Sequence, residues 1–320
     1  TNLVVSRGAG VKPILVNHYE KVTDRLLTSA AADNGDRLLS KVRVADAVDV
    51  DDLTGRLKTY ALSAHLDFVM TDAETSIPRF AVELDGAQHW KDPRQREPDR
   101  MKDELCERAG LPLMRITSDF TYRRGRWPVL SYLVDAFYMS EAFHAAQEAG
   151  YVPWDEPFMI ESVIVEDEAG QPTFYAFDSD AINRLWAHHS AKRLPAAVPD
   201  TWVTAIKTVG MVQAHAYVAV AENRYLIARV RVRDFRFQGI GPGEIASQLV
   251  VAEIGDLAER WLQGEPVACD RRDLIKLMVE VQQAMDAGGF LSSFTSDQSL
   301  EPGGPLPREA AIRMRPRSKS

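Results

Sequence analysis

Two short apolar segments that each carry carboxylates constrain this 320-residue chain more than any other feature. The first reads LDFVM and the second AVELDGAQHW, and a helical stretch, DRMKDELCERAGLPLMRI, follows them. An unpaired charge in an apolar setting costs several kcal/mol, so Asp67, Glu83 and Asp85, all on strands expected in the core, need partners. Alternate residues of a strand share a face. Glu83 and Asp85 are therefore expected to point the same way, with Asp67 joining them from the neighbouring strand. Three converging carboxylates repel one another unless a cation sits between them, and oxygen-only ligands favour Mg2+ or Mn2+ over zinc. Such an ion polarises a phosphate oxygen and lowers the pKa of a bound water, so the pattern points to metal-dependent phosphodiester chemistry.

The surrounding sequence supplies a frame for these acids. Asn17 and Glu20 have capping-box spacing at the head of a helix reaching about Ala31. Residues 38–45 read as a strand, 46–64 as irregular or partly helical, and 65–71 and 79–85 as strands joined by a polar connection. A helix over 99–109, with Met101, Leu105 and Ala109 inward, ends at Gly110 and leads into a strand over 113–117. A long helix over 127–148 follows. A strand–helix–strand crossover of this kind fits an α/β fold, a mixed sheet flanked by helices. Pro153, Trp154, Asp155 and Pro157 mark an expected boundary. The domains read as 1–150, a second α+β domain over 151–290, and a mobile tail over 291–320 rich in Ser, Pro and Gly.

On the third segment Asp99 and Lys102 share a helix face, being three apart. Lys102 is expected either to hold an attacking water and stabilise the phosphorane or to be a solvated helix lysine. Asp99 is expected as an N-cap that also orients its neighbours. His89 reads as a loop histidine bonded to backbone. Glu20 reads as a capping glutamate. Residues 91–130 carry a net charge of +3 while the remainder carries -11. That basic rim beside acidic strands, with Arg94 and Arg96 at its start, suits a polyanionic substrate.

The second half offers weaker signals. Arg229, Arg231 and Arg233 alternate along ARVRVRDFRF, with Phe235 in phase, an arrangement able to grip phosphates and stack a base; an amphipathic strand with a wet face looks the same. Gly239, Gly241 and Gly243 match neither phosphate-binding glycine pattern and read as a loop. Cys106 and Cys269 lack metal-ligand spacing and read as free thiols. No apolar run approaches the roughly 18 residues of a membrane span, and the N-terminal stretch lacks signal-peptide character. A cytoplasmic protein is the expectation.

Together, DF…(A)VELDG..H…R..D..K…AGLPLMRI resembles the PD-(D/E)xK nuclease superfamily, nearest to its DUF2726-type and very-short-patch-repair-like branches, over about residues 17–138. The resemblance implies a restriction-endonuclease-like fold in which Asp67 is the first metal-binding acid and Glu83-Leu84-Asp85 takes the place of the (D/E)xK tripeptide. It also implies that Glu20 corresponds to an acid on the first helix that some members use near the metal, and that His89 matches a histidine following the glycine, with a catalytic or metal role. The tripeptide ends in Asp85 rather than lysine, and Lys102 would supply that positive charge from the next helix. The expected function is a Mg2+- or Mn2+-dependent endonuclease acting on nucleic acid, DNA foremost, in defence or repair. The competing expectation is an inactive nuclease-fold module that binds nucleic acid or a protein partner through residues 151–290.

Overall fold

The computed structural model describes residues 13–15, 17–85, 96–166, 170–206, 210–233, 235 and 237–295. His89 and Arg94 lie outside the described residues, as do the side chain of Arg96 and the tail from 296 onward. The chain divides into two compact units, Thr1–Thr121 and Tyr122–Ser320. The boundary precedes the long helix Val129–Glu148, which therefore belongs to the second unit and not to a first domain ending near residue 150. The α/β expectation holds: a mixed four-stranded sheet builds the first unit and a five-stranded sheet the second.

In the first unit, α1 (His18–Asn34) leads into β1 (Asp36–Arg43). The short helices α2 (Val44–Ala47) and α3 (Gly55–Ser63) precede β2 (His65–Asp72) and β3 (Pro78–Asp85). Then α4 (Arg96–Arg108) crosses to β4 (Leu113–Thr117). Neighbouring strands lie in the order β1-β2-β3-β4; the first two pairs are antiparallel and β3/β4 is parallel across the α4 crossover. The capping box at α1 is present, with the Asn17 side chain accepting from the Glu20 amide at 2.8 Å and the Glu20 carboxylate accepting from the Asn17 amide at 3.2 Å. Such a cap stabilises a helix by about 1 kcal/mol.

The α4 helix begins earlier than its sequence suggested, because Pro98 falls in the first turn, where its missing N–H is no loss. Asp99 is consequently a first-turn residue rather than the N-cap. The inward stripe also differs. Met101, Lys102, Leu105 and Cys106 are buried, and Ala109 is exposed. Leu105 and Cys106 close a core with Val44, Leu66, Val69, Ala81 and Leu113. Burying side chains of this kind contributes about 1.5–3 kcal/mol each, so α4 is clamped onto the sheet face that carries the acids.

In the second unit, two-residue ladders β5 (Arg123–Arg124) and β6 (Trp127–Pro128) precede α5 (Val129–Glu148). A small hairpin of β7 (Ile164–Glu166) and β8 (Pro172–Phe174) leads to α6 (Phe177–Ser190). Three long antiparallel strands follow: β9 (Asp200–Ile206), β10 (Met211–Ala221) and β11 (Arg224–Arg233). After α7 (Pro242–Leu262) come β12 (Cys269–Asp270), α8 (Arg271–Asp286) and β13 (Phe290–Phe294), giving the sheet order β12-β11-β10-β9-β13. Leu274, Leu277, Met278 and Val281 of α8 pack on Trp202, Tyr217 and Tyr225. α7 packs across β9, β10 and β11, with Gly243 beside Val203 of the opposite face. The loop glycine Gly239 is required by contact: it has φ +91° and a Cβ there would lie 2.2 Å from the Ala136 carbonyl oxygen.

Candidate functional site

A row of charged residues crosses one face of the first sheet. Val69 of β2 pairs with Ala81 of β3, and two residues along the same ladder Asp67 comes beside Glu83. Glu83 in turn is in register with Arg115 of β4. Asp67 and Glu83 lock one another through backbone. The Asp67 amide donates to Glu83 Oε1 at 3.0 Å, and the Leu84 amide donates to Asp67 Oδ2 at 3.0 Å. Each carboxylate also meets a lysine. Lys41 Nζ lies 2.7 Å from Asp67 Oδ1 and 3.1 Å from Glu20 Oε1. Lys102 Nζ lies 2.5 Å from Glu83 Oε2 and donates to the His65 carbonyl at 2.8 Å.

The spacing of Asp99 and Lys102 now has a structural reason. Three residues apart on α4, they sit above adjacent strands, so Lys102 meets Glu83 while Asp99 meets Arg115. The Arg115 guanidinium is 3% exposed. Its Nη2 lies 2.7 Å from Asp103 Oδ1 and 3.2 Å from the Asp99 carbonyl, and its Nη1 stands 3.6 Å from Asp99 Oδ1 and 3.7 Å from Asp85 Oδ1. Asp85 shares the Glu83 face, as alternation requires, but two residues along a strand is about 6.8 Å. The expected three-carboxylate convergence is thus a close pair, Asp67 and Glu83, with Asp85 drawn toward Arg115. No group of three His, Cys, Asp or Glu side chains among the described residues is gathered to hold a metal.

The electrostatics follow from burial and ion pairing. Among the described residues Lys41 pairs with Asp67 and Glu20, Lys102 with Glu83, and Arg115 with Asp85, Asp99 and Asp103. Burial first, and then the Asp67 charge, push the Glu83 carboxyl above its ordinary range even though Lys102 pulls it down. Burial and the Glu83 charge also push the neighbouring Tyr60 hydroxyl and Cys106 thiol up to about 12. Burial opposes the charge on Lys41, but its bonds to Asp67 and Glu20 prevail and hold its pKa above the usual lysine value. Cys106 is therefore a packed, unreactive thiol.

Mg2+ commonly binds through one or two carboxylates and keeps several waters. Two hard oxygen donors on adjoining strands fit such an ion without a dedicated cage. Lys41 and Lys102 already hold one oxygen of each donor, leaving lone pairs on the same carboxylates for a further ligand.

Two members of this constellation carried only faint sequence signals. Arg115 interrupts an apolar strand, LMRIT, and a buried arginine there demands acids nearby. Lys41 sits in β1 with φ 57°, a left-handed conformation that non-glycine residues seldom adopt. Nothing in SKVR announces that backbone. Of the other candidates, Glu20 joins the site while also capping α1, and Arg229, Arg231 and Arg233 line up on β11 in the second unit. Phe235, expected to stack a base, is 6% exposed and belongs to the core.

Residues 12–127 match the family described as a protein of unknown function, DUF2726. That stretch spans every strand of the four-stranded sheet and every residue of the charged row. No curated protein and no solved structure matches the chain. No helix among the described residues is long and apolar enough to cross a membrane.

Proposed function

We propose that the first unit hydrolyses phosphodiester bonds in nucleic acid, DNA foremost, with Mg2+ or Mn2+ held by Asp67 and Glu83. The observation that carries this reading is the reciprocal backbone lock between those two carboxylates, flanked by two lysines. Preorganised donors of this kind need no rearrangement when charge develops in a transition state. When bound, the ion would supply Lewis-acid polarisation of a phosphate oxygen and a more acidic water. Asp67 is oriented by the Leu84 amide and Lys41, and Glu83 by the Asp67 amide and Lys102. The bond from Lys102 on α4 to Glu83 supports the reading in which this lysine supplies the positive charge that Asp85 does not. Its ammonium is suited to stabilising negative charge beside Glu83. Arg115 draws Asp85, Asp99 and Asp103 together at the other end of the row.

One observation favours the alternative, a nuclease-fold module that binds without cutting: the two lysines already neutralise part of the carboxylate pair. The experiment that separates the two combines calorimetry with Mn2+ and plasmid cleavage on the wild type and on Asp67→Asn. Metal binding and cleavage lost together in Asp67→Asn support hydrolysis. A wild type that binds no Mn2+ and cuts nothing overturns it.

A further inference from the structure

The second unit carries a polar grid on the sheet face opposite α7. Cross-strand register sets Trp202, His215 and Arg229 in one row, Thr204, Gln213 and Arg231 in the next, and Ile206, Met211 and Arg233 in the third. The arginines form a column on β11, with Arg229 and Arg231 exposed and Arg233 half-buried. β12 covers β11 only at Arg224 and Tyr225. Among the described residues the column therefore runs along a sheet edge.

Beside this column on the same face, on β9 and β10, lie three buried polar residues, Thr204, Gln213 and His215, at 1%, 8% and 1% exposure. Buried polar groups cost free energy unless they are hydrogen-bonded; here Thr204 donates to the Gln213 carbonyl, while the Gln213 side chain links His215 to an arginine. Arg231 donates its Nε to Gln213 Oε1. That bond fixes the amide, so Gln213 Nε2 faces His215 Nε2 at 2.6 Å. An amide nitrogen only donates, so His215 Nε2 accepts and the ring proton resides on Nδ1, which is buried with no partner among the described residues. Burial, and then the Arg229 charge, lower the His215 pKa to about 4. The relay thus stays neutral at ordinary pH and anchors Arg231 through Nε, the nitrogen outside its terminal fork. Side-chain entropy, the main cost of immobilising an arginine on a ligand, is partly met before any ligand arrives.

We infer that the Arg229–Arg231–Arg233 column, anchored through Gln213 and His215, binds the phosphates of an extended single-stranded nucleic acid. Successive arginines on one strand face recur every ~6.8 Å, a linear charge array that suits a strand of phosphates better than one compact anion. With Phe235 buried, affinity here rests on phosphate contacts rather than on stacking. The choice of nucleic acid over an acidic polypeptide rests on the hydrolytic reading of the first unit. Gln213 and His215 are positioning residues; the arginines make the contact. Glu280 competes for the site, lying 3.0 Å from Arg229 Nη2.

The test is fluorescence anisotropy of labelled oligothymidylate with the full chain, in EDTA so that no hydrolysis intervenes, across a salt series. Each phosphate contact on a single strand contributes about 0.7 to the slope of log K against log salt. Arg231→Gln and Arg233→Gln should each flatten that slope by about 0.7. Gln213→Met should weaken binding severalfold at unchanged slope, because the charge stays while its anchor is lost. Glu280→Gln should tighten binding by freeing Arg229. No binding, arginine variants with the wild-type slope, or equal competition by polyglutamate each overturn the assignment. Failure here with intact Mn2+-dependent cleavage leaves the first unit's reading standing. Binding without any cleavage by the wild type does the reverse.

Discussion

Replacing Lys102 by Met tests whether the buried ammonium compensates Glu83. The two side chains are 11% and 8% exposed, so solvent screens the pair little. Removing one partner of a buried ion pair typically costs about 3–5 kcal/mol, because the other charge is stranded. Met fills nearly the same volume, so packing loss adds little. Glu83 has an escape, since it can take up a proton. Its folded-state pKa already exceeds the ordinary 4.5, through burial first and the Asp67 charge as well, and loss of Lys102 raises it further. A carboxyl with a raised folded pKa binds its proton more tightly in the folded state. Its stability contribution is fully present below the unfolded value and falls as pH climbs toward the folded one. The Lys102→Met deficit should therefore be small near pH 4.5 and grow to about 3 kcal/mol or more toward neutrality. Hydrogen exchange of β2 and β3 amides reads this sheet directly. Glu83→Gln in the same chain should recover most of the loss, since neither charge then remains. A pH-independent deficit, or a double variant no more stable than Lys102→Met, refutes the compensation argument.

Two further perturbations address the second unit. Burial first, then the adjoining Glu161 carboxyl, hold Glu244 up to about 8, and burial holds Asp178 up to about 6. Both bind protons more tightly when folded, so thermal stability by circular dichroism should decline as pH rises from the ordinary carboxylate range to about 8, and Glu244→Gln should remove the upper part of that slope; identical profiles for the two proteins count against it. A Cβ at Gly255 would lie 2.5 Å from the Ala181 Cβ, so Gly255→Ala must part α6 from α7 and should cost about 1–3 kcal/mol in urea denaturation. No loss there would mean that the helices separate freely.

What the amino acids disclose depended on whether the residue's constraint was local. Asp67 and Glu83 stood out because charges inside LDFVM and AVELD contradict a core strand, and Lys102 because it follows at helical spacing. The capping box of Asn17 and Glu20 was legible for the same reason. Lys41 was not, because its importance comes from a backbone conformation and from two partners distant in sequence. The shared face of Glu83 and Asp85 follows from strand alternation, whereas the pairing of Asp85 with Arg115 comes from the parallel neighbour β4 and has no local signal. The strands β9 and β10 escaped recognition altogether. MVQAHAYVAVA is buried almost end to end, with α7 on one face and α8 on the other, so it lacks the two-residue alternation by which a half-buried strand announces itself.

The left-handed backbone of Lys41 carries an implication for how this chain would change under selection. Such a conformation costs a residue with a Cβ about 1–2 kcal/mol that glycine would not incur. Position 41 is therefore a point where heat resistance and the grip on Asp67 pull in opposite directions. A library screened for survival at high temperature alone should discard this lysine early, yielding hardier proteins whose acidic pair has lost one of its two guardians.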